Sequence, residues 1–139
     1  MHREKYDIFC ALIILYDKNK ILLQHRTDDA EVLAGYWAFF GGGIQEGETP
    51  FDAVMRETQE ELCYQLSQPK LVLKKEFYLG SKKGYMHVYT ERYNQSPLIL
   101  NEGQNMRWYS IDEIEVLEKV IPHDRDVMKY ILKNMSILW

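Results

Sequence analysis

The stretch GGGIQEGETPFDAVMRETQEEL, residues 41–62, leads from a glycine triplet into the strongest helix signal of the chain. Thr49 is a suitable N-cap residue, and Pro50 is suited to the first helical position. Asp52 lies three residues after Thr49, where its carboxylate can complete a capping box. These signals predict a helix over residues 50–62.

The predicted helix carries a cluster of carboxylates on one side. At about 3.6 residues per turn, Glu57, Glu60 and Glu61 fall within an arc of about 100°. The arc beside it is predicted to pack in the core and contains Phe51, Met55, Thr58 and Leu62. Arg56 can offset part of the negative charge, whereas a hard divalent cation can neutralise more of it. Taken alone, the charge pattern favours the alternative of a solvated acidic helix face.

The glycine triplet Gly41–Gly43 is predicted to end a short strand over residues 37–40. Glycine allows the backbone to approach a ligand or a metal closely, which makes Gly42 a candidate for the metal site. The alternative is a simple turn between a strand and a helix. Combined with the acidic helix, the triplet favours the ligand-binding interpretation.

The rest of the chain predicts strands with interspersed helices. Apolar runs predict strands over 8–16, 21–25, 71–79, 85–93 and 106–109, with a loop over 80–84. A capping pattern at residues 110–113 predicts a short helix, and residues 124–134 predict a terminal amphipathic one. The expected fold class is α/β (α+β), with a mixed β-sheet flanked by helices.

Length and charge limit the possible functions. A chain of 139 residues without an internal linker is expected to form one domain, residues 1–139. Its net charge of -4 disfavours a long nucleic-acid partner, because no basic surface attracts the backbone. The N-terminal sequence has no export signal and no membrane span, and two cysteines are too few for a disulfide framework. We therefore expect a cytoplasmic protein with no membrane partner.

The spacing of charged residues and glycine matches a known family pattern. Gly42, five residues, Glu48, seven residues and then Arg-Glu-Thr-Gln-Glu-Glu-Leu at 56–62 resembles the box of the Nudix hydrolase family. Cys63 and Tyr64 stand where that pattern has a glycine and an apolar residue, and Phe40 stands where proline is usual. We interpret Cys63 as a structural cysteine rather than a nucleophile, since no general base is placed beside it in the sequence.

The resemblance implies a fold, a reaction and a cofactor. The fold would be an α/β/α sandwich, forming a single Nudix-like hydrolase domain. The reaction would be metal-dependent hydrolysis of a diphosphate linkage in a nucleoside triphosphate or another nucleoside diphosphate-linked compound. The metal would be Mg²⁺, with Mn²⁺ as a second candidate.

The resemblance also implies roles for individual residues. The metal ligands would be Gly42, Glu57, Glu60 and Glu61. Glu102 is a further ligand candidate, because Glu102-Gly103-Gln104 resembles a distal loop of some members that cleave nucleoside triphosphates; without the resemblance, a solvated loop charge is the alternative. Glu57 or Glu60 would serve as the general base for the attacking water. Arg56 and Glu48 would hold the loop and the helix together.

Candidate substrate contacts lie outside the box. Arg26 can contact phosphate oxygens through its planar guanidinium, although a surface charge is an equal alternative. Trp37 and Phe39 can stack on a base, but such aromatic residues more often belong to the core. Asp124 can accept from the edge of a purine or serve as an N-cap. The expected partner is a nucleotide-like small molecule.

Two other classes of protein remain as alternatives. One is a non-catalytic nucleotide-binding regulatory module with a Nudix-like fold, for which loss of the helix glutamates would be the sign. The other is an interaction protein whose acidic helix is merely solvated. The apolar C-terminal residues Ile137, Leu138 and Trp139 are compatible with docking on the domain or on the second subunit of a homodimer.

Overall fold

The structure is a computed structural model that describes residues 5–134. The apolar segment 137–139, considered as a homodimer contact, lies outside these residues. The strands are β1 (Ile8–Asp17), β2 (Lys20–His25), β3 (Trp37–Ala38), β4 (Phe40–Gly43), β5 (Lys70–Leu79), β6 (Lys82–Arg92) and β7 (Asn105–Ser110). The helices are α1 (Pro50–Leu62), α2 (Ile111–Val116) and α3 (Pro122–Asn134). No helix within residues 5–134 is long and apolar enough to cross a membrane.

The strands form one mixed sheet in the order β3-β2-β1-β6-β5, with β4 paired to β1 and β7 paired to β2. The central pair β1–β6 is parallel, whereas the other pairs are antiparallel. Helix α1 covers one face, and α2 and α3 cover the other. This arrangement confirms the predicted α/β/α sandwich with a mixed sheet.

Strand β1 supplies both hydrophobic cores because successive side chains point to opposite faces of a sheet. Ala11 and Ile13 pack with α1 residues such as Val54, while Cys10 and Ile14 pack with α3 residues such as Val127. Burial on both faces explains why residues 8–16 form a nearly continuous apolar run. Strand β4, which pairs with β1, is thus attached to a strand that is packed on both faces.

Helix α1 begins and ends where the sequence predicts. The Thr49 side chain accepts from Asp52 N at 3.0 Å, and the Asp52 carboxylate accepts from Thr49 N at 3.3 Å. The prediction that Phe51 packs in the core was wrong, because this side chain is 45% exposed. Ala53 and Val54 fill the corresponding core position instead.

The glycine triplet does not end the strand, so the predicted boundary at residue 40 was wrong. Residues 40–43 form β4 and pair with β1, where Gly41 lies opposite Leu12. Gly41 has φ 128°, and a Cβ there would lie 2.3 Å from the carbonyl oxygen of Ala11. Glycine is therefore required for close strand pairing, a constraint that is not visible in the local sequence.

The predicted loop over 80–84 was also too long, because β6 already begins at Lys82. Gly84 is a paired residue of the ladder and lies opposite Phe77. The Phe77 ring occupies the space of the missing side chain, since a Cβ on Gly84 would lie 2.3 Å from the ring. This glycine accommodates an aromatic ring and does not mark a loop.

Asp124 connects α3 to the junction between β3 and β4. Since α3 begins at Pro122, Asp124 lies inside the first turn, and its interpretation as an N-cap was wrong. It is 3% exposed, and its Oδ2 accepts from Phe39 N at 3.1 Å. Burial raises the pKa of its carboxyl to about 7, although the Phe39 N–H and the charge of Arg26 lower it. The buried carboxyl therefore holds a proton more tightly in the folded protein than in the unfolded chain.

This shift predicts a stability that depends on pH. Between the ordinary pKa of 3.8 and about 7, the folded protein binds a proton at Asp124 that the unfolded chain has lost. The free energy of unfolding should therefore fall as pH rises through this window, by at most about 1.4 kcal/mol per pH unit. Asp124→Asn keeps an acceptor for Phe39 N but does not titrate, so this part of the slope should disappear.

The measurement is denaturant unfolding at several pH values between about 4 and 8 without divalent ions. Other carboxyls add slopes of their own, so the quantity compared is the difference between wild type and variant. Asp112→Asn is the matched control, because it removes an exposed carboxyl of α2, outside the helix that carries Asp124, and should keep the slope attributed to Asp124. An unchanged slope in Asp124→Asn would contradict the assignment.

Candidate active site

Arg56 fixes the loop before α1 through its planar guanidinium. Its Nε donates to Glu48 Oε2 at 2.6 Å, and its Nη2 donates to Glu48 Oε1 at 2.9 Å. Glu48 Oε1 also accepts from Gln45 N at 2.8 Å. The Arg56 contact holds the pKa of Glu48 down at about 2, so the pair stays charged. Two parallel hydrogen bonds of this kind fix both orientation and distance.

The same guanidinium reaches the acidic side of the helix. Its Nη1 donates to Glu57 Oε1 at 3.1 Å and to Glu60 Oε1 at 2.9 Å. Its Nη2 donates to the Gly43 carbonyl oxygen at 3.1 Å. One cation thus gathers the loop, the end of β4 and two helix carboxylates around itself.

Glu61 is a buried carboxylate and not part of a solvated face. It is 6% exposed, and its Oε1 accepts from Gly41 N at 2.7 Å. Burial raises the pKa of Glu61 to about 8, and the negative charges of Glu57, Glu102 and Glu60 act in the same direction. Burial likewise raises the pKa of Glu57. Both groups lie where a bound cation would relieve the unfavourable charge.

Gly42 lies directly against Glu57. A Cβ on Gly42 would be 2.7 Å from the Glu57 carboxylate, so any larger residue would displace it. A Cβ on the neighbouring Gly43 would meet nothing within 4 Å. The absence of a side chain at Gly42 therefore leaves the space that the Glu57 carboxylate occupies.

These residues fit a hard divalent cation in charge and in donor type. Within residues 5–134, no three His, Cys, Asp or Glu side chains already converge as a preformed cage. Arg56 contacts both Glu57 and Glu60, and the Glu60 side chain is 58% exposed. Cation binding would therefore require a small rearrangement of side chains around Arg56.

Glu102 approaches this cluster from the connection between β6 and β7. Asn101 N donates to Glu61 O at 2.8 Å, so the next residue, Glu102, lies close to the end of α1. The negative charge of Glu102 contributes to the raised pKa of Glu57 and of Glu61. Glu102 also lines a small cavity of about 50 Å³ together with Gln24, Arg26, Thr27, Ala30 and Gly103. The distal glutamate and the Arg26 region thus share one cleft.

The last four carbonyls of α1 all have hydrogen-bond partners, although helix ends usually leave such groups free. Cys63 N donates to Gln59 O at 3.0 Å, and Ile99 N donates to Leu62 O at 2.9 Å. Asn101 donates twice, from N to Glu61 O at 2.8 Å and from Nδ2 to Glu60 O at 3.2 Å. No local sequence pattern indicates this role of Asn101, because its partners lie about 40 residues earlier in the chain.

Arg26 is placed on a loop and not beside the helix carboxylates. Its Nε and Nη2 donate to the Val32 carbonyl oxygen at 3.2 and 2.9 Å. Its backbone N donates to Tyr36 O at 2.8 Å. The guanidinium therefore stabilises the loop over residues 27–36. A phosphate could bind it only while the guanidinium also donates to the Val32 carbonyl oxygen.

The two aromatic candidates have different positions. Trp37 is half-buried, and its ring stacks on His25 with the centroids 4.4 Å apart. Phe39 is 2% exposed and packs in the core on the α3 face. The prediction that the Phe39 ring stacks on a base is therefore corrected to a core role, in which its backbone N–H holds Asp124.

Comparison with known proteins places this geometry in a family. The family model of the NUDIX domain matches residues 8–131. The uncharacterized Nudix hydrolase YvcI of Bacillus subtilis is 23% identical over 124 residues, covering 81% of this chain and 78% of that protein. The nucleoside triphosphatase NudI of Escherichia coli is 42% identical over 59 residues, covering 42% of this chain and 40% of NudI. The likeness to NudI thus spans less than half of either protein.

The fold has close counterparts among solved structures. The MutT protein from Methanosarcina mazei Go1 superimposes with a TM-score of 0.84 at 23% identity, covering 93% of this chain and 95% of that one. At this identity the likeness shows the fold, while the family match extends over most of the chain. The chain therefore belongs to the Nudix hydrolase family and is a Nudix-type pyrophosphohydrolase.

Proposed function

We propose that the protein hydrolyses a diphosphate linkage in a nucleoside triphosphate or another nucleoside diphosphate-linked compound, using Mg²⁺ or Mn²⁺. The observation that carries this proposal is the corner in which buried Glu61, Glu57 and the glycine strand meet. Members of the family act on small nucleotide-linked substrates and generally use divalent metal ions. The name of NudI, nucleoside triphosphatase, supports a triphosphate as the first substrate class to test.

The metal would be held by Glu57, Glu60, Glu61, the Gly42 carbonyl and Glu102. When bound, it would neutralise the diphosphate and lower the pKa of the attacking water. Glu57 or Glu60 would accept the proton of that water. Glu57 is held by Arg56 and lies against Gly42, whereas Glu60 is paired with Arg56 and more exposed to solvent.

Arg56 and Glu48 would hold this arrangement without touching the reacting atoms. Their two hydrogen bonds fix the loop over residues 43–48 against α1, so the carboxylates keep their positions as charge changes during turnover. On the substrate side, Arg26, Trp37 and Asp124 stay candidates for contacts to phosphate and base. Asp124 Oδ1 has no hydrogen-bond partner among residues 5–134 and lies 3.7 Å from His123 Nε2. It is buried, so a base edge could reach it only after the surrounding side chains move.

The proposal also covers the domain organisation, the location and the oligomeric state of the enzyme. The whole chain, residues 1–139, would act as one cytoplasmic hydrolase domain, and a homodimer would be compatible with activity. A non-catalytic nucleotide-binding module is not favoured, because Glu57, Glu60 and Glu61 are all present. An acidic helix that is merely solvated disagrees with the burial of Glu61.

Replacing the helix carboxylates tests the metal assignment. Glu60→Gln and Glu61→Gln each remove one negative oxygen ligand and should lower Mg²⁺-dependent turnover by about 100-fold or more. The assay measures phosphate or pyrophosphate release from a panel of nucleoside triphosphates, nucleotide sugars and dinucleotides. Glu46→Gln is the matched control, because Glu46 is an exposed glutamate of the loop before α1. Undiminished turnover in both helix variants would refute the metal site.

Adjacent glycines provide a steric test. In Gly42→Ala the new methyl group would lie 2.7 Å from the Glu57 carboxylate and force it away. Turnover should fall roughly 10-fold or more, and the Mg²⁺ concentration for half-maximal rate should rise. In Gly43→Ala the methyl group meets nothing within 4 Å, so its turnover should stay close to wild type. Equal losses in the two variants would mean that strand β4, and not the Glu57 contact, is disturbed.

A further inference from the structure

The connection between β6 and β7 is attached to the end of α1 by a side-chain contact that uses Cys63. Cys63 has φ 53° and ψ 37°, a left-handed conformation in which glycine is usual. Its Sγ accepts from Asn101 Nδ2 at 3.1 Å, and the same Nδ2 donates to Glu60 O at 3.2 Å. Glycine at this position, as in the family box, would have no side chain to offer.

The contact lies between two parts of the metal site. Cys63 follows Glu60 and Glu61 at the end of the helix, and Asn101 directly precedes Glu102. Asn101 N also donates to Glu61 O at 2.8 Å, so this one residue touches the backbone of two proposed ligands. No basic residue lies in the last turn of α1, and the Asn101 donors satisfy the helix carbonyls instead.

The geometry points to Cys63 and Asn101 as a pair of positioning residues that sets Glu102 against α1 for cation binding. We call this pair the Cys63–Asn101 latch. The inference rests on the proposed function, because it takes Glu57, Glu60, Glu61 and Glu102 as metal ligands. The latch explains how an exposed glutamate on a long connection is held near the helix: the residue before it is bonded through both its backbone and its side chain.

Cys63→Gly separates positioning from stability. Glycine adopts the left-handed conformation without steric cost, so the metal-free variant should melt at or above the temperature of the wild type. It removes the Sγ acceptor, however, and should require roughly 3-fold more Mg²⁺ for the half-maximal rise in melting temperature. If Cys63 had only a structural role, a Cys63→Gly variant that is as stable as the wild type would keep the wild-type affinity for Mg²⁺.

Four further variants complete the set. Cys63→Ser keeps an acceptor and should stay near the wild-type Mg²⁺ midpoint, whereas Asn101→Ala loses both Nδ2 contacts and should shift it roughly 10-fold. Asn105→Ala is the matched control, since the Asn105 side chain contacts only the backbone of Met106 in the described structure. Because both changes remove the same Sγ–Nδ2 contact, the double variant Cys63→Gly/Asn101→Ala should bind Mg²⁺ no more weakly than Asn101→Ala alone.

A second readout needs no metal. Cys63 is exposed and Cys10 is buried, so a thiol reagent should modify Cys63 first. Asn101→Ala frees Sγ and should raise the rate of this modification, whereas Asn105→Ala should not. An unchanged rate in Asn101→Ala would overturn the latch.

The Mg²⁺ titrations distinguish the two proposals. A wild type that responds to Mg²⁺, together with Cys63→Gly and Asn101→Ala variants that respond identically, would overturn the latch and leave the metal site standing. Additive effects of the two changes in the double variant would overturn it as well. A wild type that shows no rise in melting temperature with Mg²⁺ would overturn both the metal assignment and the latch.

Discussion

The ion pair between Arg56 and Glu48 is the contact on which the site depends. Its two hydrogen bonds use Nε and Nη2, which leaves Nη1 for the helix carboxylates. A lysine carries one compact charge and could not serve the loop and the helix in fixed directions at once. The pair is only partly exposed, so solvent screens it less than an ordinary surface salt bridge. The position of the acidic cluster relative to β4 thus follows from one guanidinium.

Much of the fold could be predicted because its strongest signals are local. The capping box of Thr49 and Asp52 lies within one helical turn, and α1 has the predicted bounds. The roles of Gly41 and Gly84 were predicted wrongly, because the contacts that require glycine there come from distant parts of the chain. Gly41 is required because a side chain there would clash with the Ala11 carbonyl on the neighbouring strand. Gly84 is required because a side chain there would clash with the Phe77 ring. Such contacts depend on strand register, which the local pattern does not specify.

In the candidate site, too, the local features were predicted and the long-range contacts were not. The box residues are near one another in sequence, so their spacing alone predicted that Glu57, Glu60 and Glu61 share one side of α1. The partners of Asn101 are far away in the chain, and nothing in its neighbourhood indicated that it caps a helix. Phe39 was misassigned because its ring is buried by α3, while the useful group is its backbone N–H. Sequence patterns predict the chemistry of the helix better than the tertiary contacts that support it.

The segment over residues 39–41, where β3 passes into β4, is held from both faces of the sheet. Asp124 of α3 accepts from Phe39 N, and Glu61 of α1 accepts from Gly41 N. The two sides of the protein are therefore not independent modules for protein engineering. A library that diversifies the α3 face to change substrate preference would also move the strand next to the acidic cluster. Such a library should retain a hydrogen-bond acceptor at position 124, so that altered selectivity is not confused with a misplaced Glu61.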